Sequence, residues 1–170
     1  KFVPNLRKLR LNQMDYELGN ADIRIVINWK AFPEASMLET YEDEYCCGQD
    51  EEQFCKALLK RYHSQLRKLR LSTGYWADAY QLEWPNLVEL NLTDFMGSEE
   101  SNGNLLEANM PNLTKLSLKL GRTLYEVPLT WNKLLEVVHK LSATTRLTTL
   151  RLSGGLNKIL WSKGQDFVSA

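Results

Sequence analysis

Leucine recurs along the chain in a fixed six-residue pattern, at the first, fourth and sixth positions, with mostly polar residues between. The pattern stands at Leu6/Leu9/Leu11, Leu66/Leu69/Leu71, Leu87/Leu90/Leu92, Leu113/Leu116/Leu118 and Leu147/Leu150/Leu152. Three copies follow a Pro-Asn pair: Pro4-Asn5, Pro85-Asn86 and Pro111-Asn112. The last two leucines of each copy are two residues apart, so they face the same side of a short strand. The first leucine falls at the strand entrance and closes the same core, and a Pro ahead of it removes no ladder donor. One such strand cannot bury its leucines alone. The copies are therefore expected to stack as a parallel sheet over a continuous leucine core.

The copies are spaced 60, 21, 26 and 34 residues apart. The long first gap has room for one or two further repeats. Within it Ile23, Ile25 and Ile27 alternate and predict a degenerate strand. Residues 33–50 predict an acidic loop insert. Residues 51–63 predict a helix, with Phe54, Leu58, Leu59 and Tyr62 at helical spacing and acids in the first turn. Residues 131–142 predict a second helix, with Thr130 as its N-cap. The stretch 97–104, rich in Gly, Ser and Asn, predicts a solvated loop.

The five motifs resemble the leucine-rich repeat family, and the resemblance covers most of the chain. It implies an α/β fold: a leucine-rich repeat solenoid, a horseshoe or arc with a parallel β-sheet on the concave face and helices and irregular turns on the convex face. The family places Asn or Cys three residues after the last Leu of the motif. Here those positions hold Met14, Gly74, Phe95, Gly121 and Gly155, so irregular turns are expected in place of a regular side-chain ladder. Residues 1–170 are read as a single repeat domain. Neither end carries a cap, so the domain is expected to be a piece of a longer array or to have its N-terminal edge covered.

Composition adds a charge asymmetry. The net charge is zero, yet residues 31–55 hold eight acids and no Lys or Arg, and the other 145 residues hold 21 bases and 13 acids. A basic body carries an acidic insert, which bears on partners and steering. No run of about 18 apolar residues exists, so no membrane partner is expected. The chain opens Lys1-Phe2-Val3-Pro4 without a signal-peptide pattern. The three cysteines, Cys46, Cys47 and Cys55, are odd in number and clustered, and read as free thiols. Together these imply an intracellular protein, cytoplasmic or nuclear.

Strand alternation assigns the third, fifth and seventh motif positions to the face away from the core. They are Lys8, Arg10, Asn12; Lys68, Arg70, Ser72; Glu89, Asn91, Thr93; Lys115, Ser117, Lys119; and Thr149, Arg151, Ser153. Seven of the fifteen are basic and one is acidic. Lys8/Arg10 and Lys68/Arg70 would share one ridge if the hidden repeat between them is short. Three readings stand: a solvated face, a site for an acidic or phosphorylated partner, or a face masked by the acidic segment. The candidate partner-binding residues are Lys8, Arg10, Lys68, Arg70, Glu89, Asn91, Lys115, Lys119 and Arg151. Trp76 joins them, in a loop at the rim with Tyr75 and Tyr80, either as an exposed anchor or packed under the turn.

Other chemistry is thin. Cys46, Cys47, Cys55 and His63 lack the short paired spacing of structural zinc sites, so no metal is expected. His139 has no nucleophile or acid placed with it. Asn91-Leu92-Thr93 and Asn112-Leu113-Thr114 match a glycosylation acceptor only because the repeat supplies Asn-Leu-Thr. Ser153-Gly154-Gly155 reads as a turn after a strand. Neither catalysis nor a cofactor is expected. The repeats also resemble those of F-box/leucine-rich-repeat substrate receptors of ubiquitin ligases, which implies a protein-interaction module whose concave face selects a substrate. The competing expectation is a binder of nucleic acid or of a phosphorylated ligand.

Overall fold

The structure, a computed structural model, describes residues 6–11, 37–43, 49–95, 99–121 and 131–154. Along the chain these form β1 (Lys8–Leu11), β2 (Thr40–Asp43), α1 (Gln49–Tyr62), β3 (Lys68–Ser72), α2 (Thr73–Ala79), β4 (Glu89–Phe95), α3 (Glu99–Glu107), β5 (Lys115–Leu120), α4 (Trp131–Thr144) and β6 (Thr149–Gly154). The six strands make one all-parallel sheet in the order β1-β2-β3-β4-β5-β6, open at both ends. The fold is α/β, and no described helix is long and apolar enough to cross a membrane.

Strands β1, β3, β4, β5 and β6 begin where the leucine motifs predict them. The leucines at the first, fourth and sixth positions of the three central copies are at most 1% exposed. Burying one such side chain contributes roughly 1.5–3 kcal/mol. The edge copies are less covered: Leu9, Leu147 and Leu152 are partly buried and Leu150 is 36% exposed. The helices close the leucine side. Phe54, Leu58, Leu59 and Tyr62 of α1, Trp76 and Ala79 of α2, Leu105 of α3, and Val137 and Leu141 of α4 join the same core.

Three expectations need correction. Residues 40–43, placed in an acidic loop over 33–50, form β2, and the C-terminal end of that span begins α1. The signal was hidden because Leu38, Tyr41 and Asp43 occupy the three leucine positions, all buried. The stretch read as a loop over 97–104 carries the start of α3, whose buried anchor, Leu105, lies just beyond it. Trp76 lies in α2 rather than in a rim loop. The expected strand at Ile23–Ile27 and the expected cap Thr130 lie outside the described residues.

One backbone unit recurs at every junction between strands. The carbonyl of the second motif residue accepts N–H bonds from the second and third residues of the next copy. Arg7 O receives Glu39 and Thr40, Glu39 O receives Arg67 and Lys68, and Arg67 O receives Val88 and Glu89. Val88 O then receives Thr114 and Lys115, and Thr114 O receives Thr148 and Thr149, all at 2.8–3.0 Å. The register positions Lys8, Thr40, Lys68, Glu89, Lys115 and Thr149 are thus 32, 28, 21, 26 and 34 residues apart along the chain yet aligned across the sheet.

The described Pro-Asn pairs, Pro85-Asn86 and Pro111-Asn112, have a specific use. Leu87 N–H reaches Trp84 O at 3.3 Å and Leu113 N–H reaches Met110 O at 3.1 Å, so Pro85 and Pro111 stand second in four-residue turns that precede the strands. Proline presets the φ such a turn needs at that position. The next residue stitches the turns together. Asn86 Nδ2 donates to Ser64 O and Asn112 Nδ2 to Pro85 O, both at 2.7 Å. Gln65 Nε2, at the equivalent position, donates to Leu38 O at 3.2 Å. An amide ladder therefore exists, but on the strand-entrance side. At the exit, Thr73 Oγ1 donates to Thr93 O at 2.9 Å.

Candidate partner-binding face

The side of the sheet away from the leucines carries the outward motif positions in rows set by the register. One row reads Lys8, Thr40, Lys68, Glu89, Lys115, Thr149, and the next reads Arg10, Glu42, Arg70, Asn91, Ser117, Arg151. Alternation along each strand places these side chains opposite the buried leucines.

The two halves of this face differ. Over β1–β4 opposite charges are interleaved. The Glu42 side chain is only 6% exposed and lies 3.2 Å from Lys8 Nζ, 3.6 Å from Arg10 Nε and 3.8 Å from Lys68 Nζ. Lys68 Nζ also sits 3.0 Å from Glu89 Oε1, which accepts a 3.0 Å bond from Asn91 Nδ2. Burial pushes the Glu89 carboxyl up, but the Asn91 amide and the Lys68 ammonium, with Lys115 behind them, outweigh it and hold the carboxyl below its ordinary value. Lys8/Arg10 and Lys68/Arg70 do not form one continuous ridge. Strand β2 separates them and places a carboxylate in between.

Over β5 and β6 the outward positions are Lys115, Ser117, Lys119, Thr149, Arg151 and Ser153, without an acid. Lys115, Lys119 and Arg151 are exposed. None of the three lies within ion-pair distance of a carboxylate among the described residues.

Trp76 has a different place. It is 0% exposed and stacks on Trp84 at 5.7 Å between ring centroids, tilted by 29°. Trp84 Nε1 donates to Ala79 O at 3.2 Å, and His63 packs edge-on against the same indole. Trp76 is a core residue, and the alternative reading of packing under the turn describes it. His63 Nδ1 lies 2.7 Å from Glu83 O; a carbonyl only accepts, so this nitrogen carries the proton. Cys55 is a free, buried thiol, and burial above all pushes its pKa up to about 12. Asn91 and Asn112, the two acceptor-pattern asparagines, both use their amides inside the fold.

Among the described residues, a cleft of about 160 Å³ opens between α1 and α2, lined by Lys56, Leu59, Lys60, Asp78, Ala79 and Leu82. Small-molecule sites run to about 300–1,000 Å³. Lys56 spans the cleft wall, 2.6 Å from Glu52 and 2.9 Å from Asp78, so its charge is matched within the fold.

The residue that sequence reasoning missed is Glu42. Its signal was the line Leu38-Glu39-Thr40-Tyr41-Glu42-Asp43, which keeps the motif's spacing with only its first leucine. Comparison with known proteins returns no match to any family model, curated protein or solved structure.

Proposed function

We propose that the chain is a leucine-rich repeat solenoid and that its open sheet face, the concave one, binds a protein partner bearing an acidic or phosphorylated surface. The observation that supports this most is the contrast within that face. Over β1–β4 Glu42 and Glu89 form ion pairs with Lys8, Arg10 and Lys68, whereas over β5 and β6 Lys115, Lys119 and Arg151 form none among the described residues. The surplus of like charge over β5 and β6 raises a field that steers and selects an opposite surface. The one-after-another strand order and the recurring junction unit support the solenoid. By the likeness of its repeats, the module is proposed to be of the substrate-selecting kind found in F-box receptors, acting by binding and not by catalysis.

The test is capture from lysate followed by direct binding of the purified partner. It compares the wild type with a variant carrying Lys115→Glu, Lys119→Glu and Arg151→Glu, and with a control carrying Lys60→Gln and Lys140→Gln on the helices. A protein held by the wild type and the control but lost by the triple variant supports the reading. Equal capture by all three overturns it. Capture of nucleic acid alone, lost in the triple variant, replaces the protein partner by nucleic acid.

A further inference from the structure

Resting on that reading, we infer that the outward positions of β5 and β6 form a phosphoryl subsite for one phosphorylated serine or threonine of the partner, held by Lys115, Lys119 and Arg151. The register pairs Lys115 with Thr149, Ser117 with Arg151, and Lys119 with Ser153. Arg151 therefore stands level with the midpoint between the two lysines. Four strand residues span about 13 Å and neighbouring strands lie about 4.8 Å apart. Three long cationic side chains thus flank Ser117 along β5 and from β6, with Asn91 and Glu89 of β4 on its other side.

The occupant follows from charge and shape. A phosphoryl monoester carries about −1.5 to −2 and three strong acceptor oxygens. Arg151 offers a planar fork that binds two of those oxygens at once, and the lysines supply point charges on either side. The other three positions, Ser117, Thr149 and Ser153, each bring a hydroxyl that donates without adding repulsion. A lone carboxylate would neutralise one cation and leave two facing each other. A nucleic-acid strand would instead need charges strung along a track, with aromatic platforms for its bases. These six positions hold no aromatic residue, and the cations flank one residue, Ser117. Over β1–β4, by contrast, Glu42 pairs with Lys8, Arg10 and Lys68, and Glu89 pairs with Lys68 while also acting on Lys115 across the β4–β5 boundary.

The experiment uses the full chain and bead-bound degenerate peptide libraries centred on phosphoserine, serine or glutamate, with an oligothymidine competitor. The wild type is expected to favour phosphoserine over serine by about tenfold or more, with glutamate between. Lys115→Gln, Lys119→Gln and Arg151→Gln together should remove the preference, and Arg151→Lys should weaken it by keeping charge without the fork. The Lys60→Gln, Lys140→Gln control should keep it. Thermal unfolding of every variant verifies the fold. Equal retention on phosphoserine and serine overturns the subsite, as does a preference that survives the triple variant. Oligothymidine that binds through the same three residues more tightly than phosphoserine peptides also overturns it. If phosphoserine preference is absent while partner capture still depends on the open face, the subsite fails and the proposed function stands; if both are lost, both fail.

Discussion

The Tyr41 hydroxyl donates a 3.0 Å hydrogen bond to Asp43 Oδ2, two residues along the same strand, on the side of the sheet where the neighbouring strands carry leucine. Tyr41 is paired with Leu9 and Leu69, and Asp43 with Leu11. Both are at most 1% exposed. A Leu-x-Leu pair has been exchanged for a Tyr-x-Asp pair that satisfies part of its own polarity. Burial, before all else, raises the phenol pKa well above its ordinary value, so Tyr41 stays a donor.

Tyr41→Phe removes that donor while leaving the carboxyl buried, and is expected to destabilise by about 1–3 kcal/mol. Adding Asp43→Leu to Tyr41→Phe should restore the motif and recover most of the loss. Urea unfolding of the two variants decides it. A neutral Tyr41→Phe would show that the hydroxyl does not hold Asp43.

Cys55 faces the same cluster. Its pKa is raised, so it favours the folded state fully below the unfolded thiol value of about 8.5 and loses that contribution as the pH climbs towards about 12. Urea midpoints should fall through this window, and Cys55→Ala should flatten part of the slope. Iodoacetamide at neutral pH, with modification mapped by mass spectrometry, should leave Cys55 unmodified until the chain unfolds. Rapid native alkylation at that residue would contradict its burial.

Glu42 is the shared acceptor of Lys8, Arg10 and Lys68. Those cations are 57%, 48% and 37% exposed and can return to water, so Glu42→Gln should cost only about 1–2 kcal/mol, well short of a fully buried pair. The loss should shrink at high salt, because what remains is repulsion among exposed cations. Unfolding at low and high ionic strength tests both points; a salt-independent loss would place the effect in packing instead.

Gly154 has φ +88°, and a Cβ there would lie 2.5 Å from Leu120 O. At Gly121 the nearest atom, Asp94 Cα, would be 3.2 Å away. Gly154→Ala should therefore cost about 1–3 kcal/mol and more than Gly121→Ala. Calorimetry on the pair should rank them so; the reverse order would mean that edge strand β6 gives way without penalty.

Five strands were legible because leucine at three spaced positions leaves little else for the segment to be. Strand β2 was not, since Tyr41 and Asp43 obey the alternation but not the residue type. With it went Glu42, and hence the real charge pattern of the open face: seven cations were visible, but not the carboxylate that divides them. Helices α1 and α4 were legible from apolar spacing. Helix α3 opens with a run of polar residues, and its anchor Leu105 comes late. Helix α2 is a single short stretch whose Trp76 points inward to Trp84, a pairing across eight residues that no period announces.

The double acceptor at each junction lies at the start of the strand, whereas the segments of unequal length all lie after it. What a strand displays is thereby insulated from how much chain leads to the next one. Insertions and deletions in the connections can accumulate without rotating Lys115, Arg151 or their neighbours off the open face, so spacer and display can drift independently. The six strands behave as interchangeable cassettes on a common rail, and swapping the outward residues of one changes what the surface reads while leaving the rail in place.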